Sequence, residues 1–304
     1  MASRLTAVVP GLILVCSASL YAGSVPAARA PKLYSAAVIV KDQRTGEFLL
    51  VKKAETAMPI ASITKLMTAV VVLDAIPSME ETLMIEEADK DMLRHSSSHL
   101  PVGTQLTRRE ALLLALMASE NRAAHALGRT YPGGVKALVS AMNEKARTLG
   151  LNETRFDDPT GLSDGNVSSA QDLSRLVEVA LRYPEIRAFT TTTEATLRHG
   201  RRLLHFVNTN ALLRNPRWQI GLSKTGYIEE GGRCLVMQTQ LAQRPILMVL
   251  LHSTGKNDRL ADANRIKEWM EGPESPQKSR KSKAGKNHRA ASRSNGKVFP
   301  SYQS

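Results

Sequence analysis

The chain has 304 residues, 42 % of them hydrophobic, enough for one large buried core or two small ones. Only 4 % are aromatic, so the core is packed from Leu, Val, Ala, Ile and Met, which argues against a nucleic-acid surface built on base stacking. The net charge of +13 is uneven: between Gly272 and Ser304 stand eight Lys or Arg and one acid, Glu274, so +7 of the excess lies there.

Residues 1–30 read as a secretory signal. Arg4 supplies the basic start, an apolar run extends from Leu5 to Ala22, and small residues follow with cleavage expected after Ala22 or Ala30. The alternative is a buried helix or a retained anchor, since the run approaches the roughly 18 residues of a membrane span. Cys16 does not make a lipoprotein site, because bulky Val15 precedes it. With the leader removed, Cys234 is the only cysteine left, so no internal disulfide forms; within its apolar run it reads as buried and inert. Export places the protein in the periplasm or elsewhere in the cell envelope and leaves no role for nucleic acid.

Residues 35–40 and 48–51 read as two strands joined by a turn over 42–46, an N-terminal hairpin. Residues 61–75 follow a helical period, with Leu66, Ala69, Val70 and Leu73 on one face and Pro77 closing it. Thr107 with Glu110 forms a capping-box signature ahead of 111–117, a stretch apolar enough to be enclosed. Helices are predicted over 122–130, 135–149 and 170–181. Strands follow over 220–226, 233–240 and 246–252, separated by Gly231-Gly232 and Arg244-Pro245, and a helix over Asp258–Glu271 ends the domain. Strands, then helices, then strands predict an α+β domain over 31–271 whose terminal strands share one sheet. Residues 272–304, polar and basic, read as a disordered tail: either a solvated extension or an electrostatic attachment to an anionic envelope surface.

Three short motifs carry chemistry. Ser62-Ile63-Thr64-Lys65 places a hydroxyl and an amine on one face of a helix start. Serine needs a base to become a nucleophile, and lysine becomes that base when burial or a second cation lowers its pKa. Ser119-Glu120-Asn121 interrupts two helical stretches and can aim Ser119 and Asn121 at one cleft, provided the segment is extended. Lys224-Thr225-Gly226, followed by Tyr227, ends a predicted edge strand. There Lys224 offers a fixed cation and Thr225 a hydroxyl for a carboxylate, while Gly226 admits a close backbone approach and the edge can pair with a substrate strand. Each motif alone has a bland reading: an N-cap at Ser62, a helix connection capped by Asn121, and a strand ending in a turn. The ordered trio is the pattern of penicillin-binding proteins and serine β-lactamases.

The chain resembles the low-molecular-weight penicillin-binding proteins, the serine DD-peptidases, and among them the D-alanyl-D-alanine endopeptidases. The resemblance covers residues 35–271 and is carried by Pro59-Ile-Ala-Ser-Ile-Thr-Lys-Leu-Met-Thr-Ala, by Leu112-Leu-Leu-Ala-Leu-Met-Ala-Ser-Glu-Asn-Arg-Ala-Ala and by Tyr131-Pro-Gly-Gly. Asp158-Pro-Thr-Gly-Leu-Ser and Ser223-Lys-Thr-Gly-Tyr add to it. It implies the transpeptidase/β-lactamase-like fold, a helical region packed on a central antiparallel sheet with the site between them. Ser62 would be the acylated nucleophile, Lys65 its base and Ser119 a proton relay to the leaving amine. Asn121 would bind the substrate amide, Lys224 would lower the Lys65 pKa, and Thr225 would meet the substrate carboxylate. The backbone N–H groups of Ser62 and Tyr227 would hold the oxyanion. The implied partners are peptidoglycan peptides, with β-lactams as covalent inhibitors. The implied activity is hydrolysis of cross-links, with removal of a terminal D-Ala as the alternative; that preference comes from the resemblance alone.

Rival readings are weaker. Gly221-Leu-Ser-Lys-Thr lacks the first glycine of a phosphate loop, and His95 and His99 flank only serines, without the glutamate of a zinc-peptidase helix. His125 has no nucleophile elbow to serve, so no metal or cofactor is expected. No Glu-x-x-Leu-Asn stands between the second and third motifs, which disfavours a β-lactamase. A non-catalytic cell-wall-binding protein remains as the non-enzyme reading.

Overall fold

The structure, a computed structural model, describes residues 30–75 and 78–272. Apart from Ala30 and Gly272, the leader and tail read from the sequence lie outside the described residues.

Five antiparallel strands make the central sheet: β1 (Ala37–Asp42), β2 (Phe48–Lys52), β9 (Gln219–Ile228), β10 (Gly232–Leu241) and β11 (Arg244–Ser253), in the order β2-β1-β11-β10-β9. The first strand of the domain thus pairs with the last, Ile39 opposite Val249, as the strand–helix–strand sequence order predicts. Both faces of the sheet are covered, so its inner strands read as unbroken apolar runs rather than alternating ones. Ile39, Val236 and Val249 face a block of helices; Val38, Leu235 and Met248 face α7 (Asp258–Glu271) on the other side. Buried Asp262 of α7 accepts from the N–H and hydroxyl of Ser35 at 2.7 and 2.8 Å, tying the last helix to the first strand.

At the centre of the helical block lies α1 (Lys65–Ala75), with every residue from Lys65 to Val72 buried. The one-faced pattern read from the sequence understates this, because Met67, Val71 and Val72 make the helix apolar all round and such a helix must be enclosed. Around it pack α2 (Arg108–Met117), α3 (Asn121–Arg129), α4 (Gly134–Thr148), α5 (Ala170–Ala180) and α6 (Pro184–Thr191). The capping box at α2 forms as expected: Thr107 Oγ1 accepts from Glu110 N at 3.1 Å and Thr107 N donates back to Glu110 Oε2 at 2.7 Å. Cys234 is fully buried, and burial pushes its thiol up to about 11, the inert state its sequence context predicts.

Besides four strands of two or three residues, two larger features lie outside what the sequence predicts. One is α6; the other is an antiparallel hairpin, β7 (Glu194–His199) with β8 (Arg202–Val207). Two minor antiparallel pairs complete the strands: β3 (Met58–Pro59) with β6 (Val167–Ser168), and β4 (Thr82–Met84) with β5 (Gln105–Thr107). The hairpin carries Arg198, His199, Arg201, Arg202 and His205, which blur the alternation of Leu197, Leu204 and Phe206 that seats its inner face on the helical core.

Candidate active site

Edge strand β9 and the helical block form a cleft, and all three motifs meet in it. Ser62 sits in a 3-10 turn, Ala61–Thr64, that leads into α1 at Lys65. Lys65 is 99 % buried, and its Nζ lies 2.8 Å from Ser62 Oγ, 2.7 Å from Asn121 Oδ1 and 2.6 Å from the Thr160 carbonyl oxygen. Two of those partners, an amide oxygen and a backbone carbonyl, can only accept. A neutral amine has two N–H groups and one lone pair. With both N–H groups spent on Asn121 and Thr160, its lone pair faces Ser62. Burial drives the Lys65 pKa down from its ordinary value to about 7, against the opposing pull of the Asp158 and Glu120 carboxylates. The amine therefore stands poised between ammonium and base at neutral pH.

The Thr160 carbonyl is held by a loop that the sequence reading quoted but gave no role. Asp158 Oδ1 accepts from the N–H groups of Thr160 and Gly161 at 2.6 and 2.8 Å, and Oδ2 accepts from Ser163 N at 2.8 Å and Asn166 Nδ2 at 2.5 Å. Burial pushes the Asp158 carboxyl up, but hydrogen bonds from the Thr160 hydroxyl and from the Ser163, Thr160 and Gly161 N–H groups overcome it and hold the group ionised. An Asp-Pro-Thr-Gly run is a turn signature, with a carboxylate that can bond its own backbone, and that signal was available to find it. Gly161 has φ +81°, and a Cβ there would collide with the Ala61 carbonyl and Ser62 N, so this loop packs directly on the backbone of the nucleophile.

Ser119 and Asn121 reach the same cleft by a route the sequence reading left open. The segment is a tight turn rather than an extended one: α2 ends, Ser119 adopts φ +60°, the Glu120 N–H donates back to the Leu114 carbonyl at 3.1 Å, and α3 starts at Asn121. A left-handed serine costs on the order of 1 kcal/mol that glycine would avoid. Serine supplies what glycine lacks, a hydroxyl 2.9 Å from Lys224 Nζ. Glu120 is buried between its neighbours: it caps α3 through Arg122 N and accepts from Ser98 Oγ at 2.5 Å. Asn121 is engaged at both ends, since its Nδ2 donates to Ser96 Oγ at 3.0 Å and leaves one N–H for a ligand.

Lys224 and Thr225 lie on β9, at the edge of the sheet as predicted, although the strand runs on to Ile228. A Cβ on Gly226 would lie 2.7 Å from the Ile60 carbonyl oxygen and 3.2 Å from Ser62 N, so glycine is what lets the strand touch the turn bearing the nucleophile. Thr225 donates to the Thr209 hydroxyl at 2.7 Å, a partner absent from the sequence reading. Tyr227 is exposed, and the Arg233 guanidinium stacks 4.2 Å from its ring centre. Lys224 corrects one expectation. It was read as a fixed cation, but burial, then the charge on Lys65, then that on Arg259 hold its pKa well below the ordinary value. Two ammonium groups in one dry cleft repel, so Lys224 is a secure cation only beside an anion or a neutral Lys65.

His125 takes no part in this constellation: its Nδ1 lies 2.7 Å from Asp89 Oδ1, within a cluster that includes Arg129. Arg94 joins the Leu162 loop to the β9–β10 turn, with Nε bonded to the Leu162 carbonyl at 2.5 Å and Nη2 2.9 Å from Glu230 Oε2.

Comparisons with known proteins agree with this geometry. A family model described as D-alanyl-D-alanine carboxypeptidase matches residues 24–255. The D-alanyl-D-alanine endopeptidase of Pseudomonas aeruginosa is 47 % identical over 242 residues, covering 79 % of this chain and 78 % of that one. Its Escherichia coli counterpart is 42 % identical over 243 residues with the same coverage. Among solved structures, the DD-transpeptidase of a Streptomyces strain superposes with a TM-score of 0.73 at 28 % identity, covering 79 % of this chain and 98 % of that one. The expected fold, a helical region on a central antiparallel sheet, is the fold of that enzyme.

Proposed function

From the premise that this chain belongs to the D-alanyl-D-alanine carboxypeptidase family, as a serine DD-peptidase, we propose that it is a cell-wall endopeptidase. It cuts peptide cross-links at D-Ala carbonyls through an acyl-enzyme on Ser62. The observation that carries the reading is the Lys65 amine, buried, with two of its three partners able only to accept and the third the Ser62 hydroxyl. The preference for cross-links follows the endopeptidase relatives at 47 % and 42 % identity.

In the proposed reaction Ser62 Oγ attacks the scissile carbonyl carbon while its proton passes to Lys65 Nζ. The N–H groups of Ser62 and Tyr227 hold the oxyanion that forms. As the C–N bond breaks, Ser119 gives its proton to the departing amine and takes up the one that Lys65 received, so Lys65 returns to neutral and the Ser62 ester remains. Water then attacks that ester, giving a carboxylate and restoring the serine. Asn121 orients Lys65 and offers its free N–H to the substrate amide. A substrate carboxylate received by Thr225 and Lys224 raises the Lys224 pKa, and the resulting cation keeps Lys65 neutral. A β-lactam acylates Ser62 in the same way, but its nitrogen stays tethered and blocks water.

Digestion of purified cross-linked muropeptides with mass analysis tests the reading. Loss of dimers with free peptides as products supports it; shortening of pentapeptide monomers with dimers intact assigns the protein to the carboxypeptidases instead. Acylation by fluorescent penicillin is expected to speed up as pH rises through about 7, as the Lys65 ammonium gives up its proton, and to level off above it. A profile flat from about pH 5 to about pH 9 would remove Lys65 from the role of base.

The proposal extends to the chain ends: residues 1–30 direct export to the envelope, and the basic residues after Gly272 hold the enzyme to an anionic surface there. Truncation after Glu271 is expected to leave penicillin acylation intact while weakening retention on anionic envelope fractions at low salt. Unchanged retention assigns the tail to solvation only.

A further inference from the structure

The hairpin missed by the sequence reading ends at the catalytic cleft. From Leu203 to Asn208 the side chains of β8 and the residue after it alternate strictly between exposed and covered, and Thr209 continues the pattern outward. Leu197, Leu204 and Phe206 turn inward onto the helical core. The outer face carries Leu203, 65 % exposed, His205, and Val207, 44 % exposed, paired across the hairpin with Arg198, Thr196 and Glu194. Its last member is Thr209, which accepts from the Thr225 hydroxyl at 2.7 Å and whose N–H donates to the Met117 carbonyl at 3.2 Å, two residues from Ser119. The track is roughly 20 Å long at about 3.3 Å per residue. Along β8 it carries two aliphatic side chains with His205 between them, at its turn it is basic through exposed Arg201, and it is continuous with the site.

We propose that the outer face of β8, Leu203 and Val207 with Arg198 beside them, binds the leaving strand of a cross-linked peptide. The inference rests on the endopeptidase reading and sharpens it. When a terminal D-Ala is removed the leaving group is one amino acid, which Thr225 and Lys224 hold unaided. When a cross-link is cut, the leaving amine belongs to a second peptide, which must leave past Ser119 and Thr209. A peptide with free carboxylates suits a face rimmed by Arg198 and Arg201, where the only acid in the hairpin is Glu194. The exposed aliphatic side chains of Leu203 and Val207 offer apolar area for the side chains of such a strand to cover.

The test compares a large with a small leaving group in the full-length protein. A Leu203→Ser/Val207→Ser variant is expected to cleave purified cross-linked muropeptide dimers about tenfold less efficiently, through a raised KM, because two aliphatic contacts are lost. Its rate of acylation by fluorescent penicillin, which carries no leaving strand, is expected to stay within about twofold of the parent, which also reports an intact fold. Arg198→Glu is expected to raise the KM for dimers in the same direction. Undiminished dimer cleavage in both variants overturns the proposal, as does an equal loss of penicillin acylation. A change of sedimentation state in the double variant, with dimer cleavage unchanged, assigns the face to a second copy of the chain and also overturns it. If the parent is acylated by penicillin yet leaves dimers uncut, the endopeptidase reading fails and this face loses its role with it.

Discussion

Ser62→Ala is expected to abolish covalent labelling by penicillin and to lower peptide hydrolysis by at least about 10⁴-fold, while the protein stays folded. Attack at a carbonyl needs an oxygen where Ser62 Oγ stands, 2.8 Å from Lys65 Nζ and on a turn held against Gly226 and Gly161. Among the described residues, Ser62 is the hydroxyl that bonds that amine, beside the Asn121 amide oxygen and the Thr160 carbonyl. The structural cost is small. Ser62 is only half-buried, and losing its hydroxyl removes one of three partners of Lys65, a change of about 1 kcal/mol. A melting temperature within a few degrees of the parent, with no label at penicillin concentrations that saturate the parent, is the expected pair of results. Label that persists and is competed away by unlabelled penicillin would move the nucleophile elsewhere.

The second large effect is at Lys65. Lys65→Arg keeps a cation but removes the base, because a guanidinium does not give up its proton in a protein. Acylation is expected to fall about 10³-fold, within the range that general-base catalysis contributes. Lys65→Met removes the base as well but spares the cost of burying a polar amine, so the two variants should be equally inactive and unequally stable, with Lys65→Met melting higher. Linkage gives a further signature. The Lys65 pKa is about 7 in the folded protein against 10.5 for a free lysine, so between those values the unfolded chain binds the extra proton and stability rises with pH. The stability of the parent relative to Lys65→Met should therefore grow from about pH 7 upward, by at most about 1.4 kcal/mol per pH unit. Parent and Lys65→Met stabilities that run parallel over that window would show an amine that is charged throughout, and Lys65 could not then be the base.

Much of the fold was open to reading because its signals are local. Thr107 and Glu110 announce the start of α2 from three residues apart. The apolar runs of β10 and β11 match strands buried on both faces, and Asp258–Glu271 is the last helix with the bounds its periodicity suggests. The hairpin β7–β8 was missed because its outer positions mix Arg, His, Leu and Val, so polar and apolar residues do not separate by face in the sequence. That mixture is the reason it now attracts a functional proposal.

The sequence by itself determined the main helices and the strands of the central sheet, the strand–helix–strand order that closes that sheet, and the identity and order of Ser62, Lys65, Ser119, Asn121, Lys224 and Thr225, but neither α6 nor the β7–β8 hairpin. Those follow from propensity, periodicity and side-chain chemistry over spans of a few residues. What only the tertiary structure decided is which groups share the cleft and how charged they are. Lys65 meets the Thr160 carbonyl from 95 residues away, and Ser119 meets Lys224 from 105. Asp158 shapes the loop that presents that carbonyl, Glu120 is buried where it caps α3, and burial beside Lys65 and Arg259 lowers the Lys224 pKa. The physical reason is that a pKa depends on the water excluded from a group and on the charges around it, and both are fixed only when distant parts of the chain pack together.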